Sequence, residues 1–345
     1  RKMAGDRAYR WGATLLILTL HAGTVHGLAG GFGAPREPQT SRVGRAKKAV
    51  ARPLAVAARP PATAKAPKPS PRSAAAREAH MRAIHDAVTR HGPVLCEALR
   101  SRGWGLIDDF LPREAIAGMR AEAEGMLARG ELRPSESTRW DEAQGGVVRY
   151  AKKNVLYTNI EGGARYELAP LLTEWCVSLV SSLPAACNQH IFGGAPALRA
   201  DVHTNKLAVC LGDGSRYDKH YDNMGGSDLR KLTVLLYLQD EWSEQMGGCF
   251  RIHGAGGGRS PGLGAVAAVA EAEDGVVDIE PRGGRLLSFW SDSLVHSVCE
   301  SYAAGGATEH RWALTVWVHA ARSEDIAFDG EAEERHFGGG GEGQA

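Results

Sequence analysis

The chain is 345 residues long and carries 41 Lys and Arg against 40 Asp and Glu, a net charge of +1. So even a balance leaves no electrostatic footprint for the whole chain to bind nucleic acid, and no nucleic-acid partner is expected. The six cysteines (96, 176, 187, 210, 249 and 299) form no CxxC pair, which argues against a structural zinc site and a small disulfide scaffold and leaves buried thiols as the expectation.

Residues 1–80 do not read as a folded domain. Arg1, Lys2, Arg7 and Arg10 precede the apolar run Trp11–Leu20, and small residues follow as far as Gly31. That is the order of a secretory signal peptide; the run is short for a membrane span, and an anchor or buried helix is the alternative. No acidic residue occurs between Glu37 and Glu78, where Arg, Lys, Ala, Pro and Ser dominate. Such a composition suits an organellar transit segment, or a solvated Pro-rich linker. The expectation is a disordered leader over 1–80 that sends the chain to the secretory route or a plastid. If the leader is only a linker, the expected compartment is the cytoplasm. No membrane association is expected of the remainder after cleavage.

Helical spacing begins after Glu78. Ile84, Ala87, Val88, Leu95 and Leu99 predict one helix or a pair, interrupted at Gly92-Pro93. Trp104 to Leu111 reads as a strand ending at Pro112. Ile116, Met119, Ala123, Met126 and Leu127 recur at three and four and predict a helix stopped near Gly130. Another is predicted from Pro170 through Leu171, Leu172, Trp175, Leu179 and Leu183. These apolar stripes are expected in the core. Arg133 to Tyr157, between the helices, is polar and Gly-containing and is expected to be a loop.

Past about residue 200 the period changes from 3.6 to 2. Leu232–Leu238, Gly247–Ile252, Val277–Pro281, Arg285–Asp292 and Arg311–Val318 are short β-rich runs separated by turn residues. The order predicts an α+β chain with an antiparallel all-β core over about 200–320, inside a domain spanning 81–320. Gly254 through Glu273 reads as a Gly- and Ala-rich surface loop, and 321–345 as a disordered acidic, Gly-rich tail.

Candidate chemistry centres on Arg216-Tyr-Asp-Lys-His-Tyr-Asp222. A His and an Asp at i and i+2 on extended chain share a face, as two members of a 2-His-1-carboxylate iron site would. The spacing alone is weak, so its setting must decide. A third ligand could come from His253, His296, His310 or His319. Such a site leaves three metal positions open, two for a 2-oxo acid and one for O2, with an arginine (Arg311 or Arg285) to bind the acid's far carboxylate.

In the order and identity of these motifs, the stretch from Asn205 to Val318, with Gly103–Leu111 upstream, resembles the catalytic domain of the hypoxia-sensing prolyl 4-hydroxylases, which are 2-oxoglutarate- and Fe(II)-dependent oxygenases. The resemblance implies a double-stranded β-helix, a cupin-like jelly roll with N-terminal helices packed on one side. It implies His220, Asp222 and His296 as iron ligands, because only His296 follows the Phe-Trp-Ser-Asp run. It implies Arg311 as the 2-oxoglutarate anchor, with Tyr237 and Thr315 helping to hold that cosubstrate. The same resemblance implies L-ascorbate to keep iron reduced, a peptidyl-proline protein substrate, O2, and a monomer. Where the family carries a tyrosine ten residues before the first ligand, this chain has Cys210. Trp290 and Trp317 are expected to be packing residues. The expected activity is oxidative decarboxylation of 2-oxoglutarate to succinate coupled to proline 4-hydroxylation. The same chemistry on another side chain or a small molecule is the alternative, as is a non-catalytic jelly-roll binding module.

Overall fold

The computed structural model describes residues 71–141, 146–253, 275–302 and 310–326. The leader as far as residue 70, the Gly- and Ala-rich insertion, the residues between Tyr302 and His310 and the tail from 327 lie outside them.

The first helix, α1, spans Ala74–Arg102, and the Ser73 hydroxyl accepts a hydrogen bond from Ala76 N. The expected leader boundary at residue 80 therefore falls inside α1. Arg72 and His80 both reach Glu174, at 3.3 and 2.8 Å. Apolar spacing begins only at Ile84, so it could not register two turns held by polar contacts. The expected break at Gly92-Pro93 is also absent. Ile84, Val88, Leu95 and Leu99 are buried, whereas Pro93 faces solvent, and burial along the rest of the helix outweighs the one backbone bond that proline cannot donate.

Strand β1 is Trp104–Ile107 only. The strand expected as far as Leu111 turns at Asp109, which holds φ +49°, and Phe110 N donates to Gly284 O. Helix α2 (Arg113–Ala128) and helix α3 (Pro170–His190) lie where the stripes predicted them, α3 running on through Pro184. The segment expected as a loop is instead a hairpin of β2 (Arg133–Asp141) and β3 (Gly146–Thr158). Its C-terminal end pairs with β4 (Leu198–Cys210), a non-local contact with no trace in local composition.

The other strands are β5 (Ser215–His220), β6 (Arg230–Tyr237), β7 (Phe250–His253), β8 (Val276–Ile279), β9 (Leu286–Trp290), β10 (His296–Ser301) and β11 (Arg311–Ala320). They complete two antiparallel sheets: β1-β9-β6-β11-β4-β3-β2 and β5-β10-β7-β8. One face of the larger sheet packs on the helices through Leu207, Val209, Val234, Leu236, Trp312, Leu314 and Val316. The opposite face meets the smaller sheet over Leu235, Tyr237, Phe250, Ile252, Phe289 and Ala313. Two facing antiparallel sheets flanked by helices on one side make the antiparallel α+β core that the sequence pattern predicts and the jelly roll that the family resemblance implies. No helix among the described residues is long and apolar enough to cross a membrane.

Candidate metal centre and its cavity

Between the sheets opens a cavity of about 460 Å³, walled by the inward positions of both. His220 and His296 stand directly opposite one another on β5 and β10, their ring centroids 4.3 Å apart. Asp222 lies two residues beyond the end of β5 and returns a carboxylate between them: Oδ1 is 3.7 Å from His220 Nε2 and 3.8 Å from His296 Nε2.

Neighbouring groups fix which atoms face inward. His220 Nδ1 lies 2.7 Å from Asp218 O, and His296 Nδ1 3.1 Å from Leu294 O. A carbonyl can only accept, so each Nδ1 carries its proton and each Nε2 presents a lone pair. Thr233 Oγ1 and Trp317 Nε1 both donate to Asp222 Oδ2, at 2.7 and 3.1 Å, which leaves Oδ1 for the two imidazoles' side of the site. Thr233 is held in turn by Ser291 Oγ at 2.8 Å. Phe250 stacks on the His296 ring and Phe289 meets it edge-on, each with centroids 4.8 Å away. Burial pushes His220 down to about 3 and lowers His296, so both rings are neutral near pH 7. For Asp222, burial alone would raise the carboxyl. His296, His220 and the two donors outweigh it and hold the acid below its ordinary range. Two neutral nitrogens and one carboxylate oxygen, lying within 4.8 Å of one another, are a donor set that fits a divalent iron.

Arg311 reaches the same cavity from β11. It is 7% exposed, Nε donates to Gly248 O at 2.7 Å, and one terminal nitrogen has no hydrogen-bond partner. Gly248 permits this approach: it holds φ +71°, and a Cβ there would come within 2.8 Å of Arg311 Cδ. Tyr237 does not line the cavity; its ring centroid lies 5.2 Å from the Arg311 guanidinium carbon, and its buried hydroxyl is also unpartnered. Thr315 lines the wall four residues along β11 from Arg311. Cys210 is buried opposite Arg311 in the β4–β11 register. A buried guanidinium with one unsatisfied terminal nitrogen, beside an unpartnered phenol, fits a carboxylate guest. Arg285, the other arginine considered, is occupied: Nε and a terminal nitrogen donate to Asp108 at 2.6 and 3.1 Å, and a further nitrogen donates to Glu280 O. Of the other candidate histidines, His253 meets Ser297 Oγ, and neither His310 nor His319 lines the cavity.

Sequence reasoning missed several residues here. Trp317, expected as packing, holds Asp222, and Thr233 does the same from what reads as an apolar run. Lys152, Lys206 and Tyr217 line the wall without having drawn attention. Thr233, Lys206 and Trp317 all stand at cavity-facing positions of their strands, so parity was the available signal.

Residues 206–319 match the family model described as the 2OG-Fe(II) oxygenase superfamily. The chain is 26% identical over 254 residues to the hypoxia-inducible factor prolyl hydroxylase of Caenorhabditis elegans, covering 71% of this chain and 31% of that protein. It is 30% identical over 227 residues to the human Egl nine homolog 1, covering 64% of this chain and 44% of that protein. It thus spans less than half the length of both relatives. Among solved structures, a Trichoplax adhaerens prolyl hydroxylase in complex with a hypoxia inducible factor peptide fragment superposes with a TM-score of 0.51 at 22% identity, over 75% of this chain and 98% of that one. A prolyl 4-hydroxylase from Phytophthora capsici gives 0.51 at 22%, over 70% and 65%. These likenesses show the jelly-roll fold.

Proposed function

We propose that this chain, which carries a 2OG-Fe(II) oxygenase superfamily domain at residues 206–319, is a 2-oxoglutarate- and Fe(II)-dependent dioxygenase that 4-hydroxylates peptidyl-proline. The observation that carries the reading is the pairing of two sites in one cavity: a facial His–Asp–His donor set and a buried arginine with an unsatisfied nitrogen. The names of the relatives support a prolyl peptide as the substrate.

In this reading His220 Nε2, Asp222 Oδ1 and His296 Nε2 hold the iron. Bound there, Fe(II) supplies O2 activation coupled to decarboxylation of 2-oxoglutarate to succinate. Arg311 binds the far carboxylate of the cosubstrate, with Tyr237 donating its buried hydroxyl and Thr315 forming the adjacent wall. Thr233 and Trp317 hold Asp222 with one oxygen forward. Phe250 and Phe289 keep His296 from rotating and exclude water from its far side. L-ascorbate maintains reduced iron, and the chain acts as a monomer on a protein substrate. The leader, in the same reading, addresses the chain to the secretory route or a plastid.

The test incubates the full chain with Fe(II), 2-oxoglutarate, ascorbate and a panel of prolyl peptides. Succinate release and a mass gain of one oxygen on proline, rising together, are expected. Succinate release with the oxygen found on another residue would overturn the prolyl assignment. No succinate release from iron-loaded protein would overturn the oxygenase reading.

A further inference from the structure

The sheet that brings Arg311 to the cavity also lines it with charge that the proposed reaction does not use. Lys152 and Lys206 both line it, on β3 and β4, and both ammonium groups lie over one aromatic ring: Nζ is 3.9 Å from the Tyr217 centroid for Lys152 and 5.4 Å for Lys206. Tyr217 stacks on His220 at 6.4 Å, so this platform adjoins the metal-site histidine.

The backbone is shaped to deliver these amines. In the β2–β3 hairpin Pro134 pairs with Leu156 and Glu136 with Ala151, so Ser135 alone faces residues 152–155. Such a bulge re-aims a side chain that a regular strand would have sent elsewhere. Asn154 within it takes φ +53°, and its Nδ2 donates to Asp213 Oδ2 at 3.2 Å. Ser135 Oγ, the residue opposite the bulge, accepts from Lys206 Nζ at 3.0 Å. One irregularity in the hairpin therefore brings in Lys152 and anchors Lys206.

Among the described residues neither lysine has a carboxylate within ion-pair distance, whereas the nearby Arg230 and Arg216 are paired with Asp228 and Glu300. Burial, then the like charge of Lys206, push Lys152 down to about 7 against the more distant pull of Asp222 and Asp218, and burial lowers Lys206 against that of Asp222. Two half-buried amines that repel each other are costly to hold unless an anion joins them.

Resting on the prolyl hydroxylase reading, we infer that Lys152 and Lys206 form an anion subsite that selects substrate peptides with an Asp or Glu side chain close to the target proline. The cosubstrate's far carboxylate is the other anion with access to the cavity, but Arg311 already provides it a buried fork.

The experiment uses the full chain loaded with Mn(II) and 2-oxoglutarate. Binding is measured to prolyl peptides in which Asp or Glu is scanned through the positions flanking proline, each against its Asn or Gln counterpart. At one or more positions the acidic peptide should bind at least about tenfold tighter, the difference shrinking with added salt. Lys206→Glu and Lys152→Glu should reverse the preference toward Lys-bearing peptides, which a merely structural role would not produce. Equal binding of acidic and neutral peptides by the unmodified protein overturns the subsite, and this comparison requires no variant to fold. A tenfold rise in the 2-oxoglutarate KM of Lys206→Met, with the acidic preference intact, also overturns it and assigns the amines to the cosubstrate. Succinate release without peptide, followed on the Fe(II)-loaded protein, reports the oxygenase reading separately. If that activity is present and charge selection is not, the subsite fails alone.

Discussion

On β11 the side chains alternate between two environments. Trp312, Leu314, Val316 and Val318 enter the core beneath the helices, whereas Arg311, Ala313, Thr315 and Trp317 face the cavity. Strand β6 repeats the division, with Val234 and Leu236 on one side and Thr233 and Leu235 on the other, and β4 does so with Leu207 and Val209 against Lys206 and Ala208. One face is predominantly apolar and close-packed. The other carries a guanidinium with an unsatisfied nitrogen, whose burial costs free energy while unpaired, and the Thr233 and Trp317 donors to Asp222, and it looks across the cavity to the two imidazoles of the smaller sheet. Period-2 alternation thus lets the same strands carry stability on one face and chemistry on the other, and substitutions one residue apart should separate the two properties.

The largest separation is expected at the metal site. Asp222→Ala or His296→Ala should lower Fe(II) affinity and turnover by at least about 100-fold, because two remaining donors hold a divalent ion weakly. The metal-free protein should lose about 1–3 kcal/mol at Asp222→Ala, which leaves the Thr233 and Trp317 donors without their acceptor. Leu314→Ala should instead cost about 2–5 kcal/mol of stability while leaving turnover per folded molecule near the parent value. Iron titration beside denaturant unfolding checks both. A Leu314→Ala protein that stays stable but loses iron would break the division between the faces.

A smaller contrast compares two arginines. Arg311→Lys keeps the charge and loses the fork, so the 2-oxoglutarate KM should rise more than about tenfold. Arg285 is already committed to Asp108 and Glu280, so Arg285→Lys should leave that KM unchanged and lower stability by about 1 kcal/mol. The opposite pattern of KM effects would move the cosubstrate anchor to β9's approach and overturn the assignment of Arg311.

Much of this arrangement was legible because its signals are local. Helix stripes located α2 and α3, and alternation located the strands of the β core. Motif order brought forward His220, Asp222, His296 and Arg311, which the fold gathers around one cavity. What escaped depends on partners distant in sequence. The β2–β3 hairpin owes its order to pairing with β4, so its polar composition read as loop. The start of α1 is held by contacts to Glu174, about a hundred residues away. Trp317 looks like any core tryptophan until Asp222 is placed beneath its indole nitrogen.

A buried carboxyl on the helix side supports the smallest prediction. Glu122 of α2 is 7% exposed and accepts from Leu171 N and Leu172 N, at 3.0 and 3.1 Å, at the start of α3. Burial is the largest influence on its carboxyl and raises it from 4.5 to about 7, against the opposing pull of those two backbone donors. Because the folded-state value lies above the ordinary one, the folded protein holds this proton more tightly than the unfolded chain does. The resulting stability is complete below about pH 4.5 and is lost as pH rises through about 7. Glu122→Gln removes the titration but retains only one acceptor for two donors, so it should shift stability by a constant offset and flatten the pH dependence. With about 1.4 kcal/mol per pKa unit, the parent should lose about 2–3 kcal/mol more than the variant between about pH 5 and pH 8. Denaturant unfolding across that range reads the slopes directly. Parallel slopes for parent and variant would show that the backbone donors, not burial, decide the protonation of Glu122.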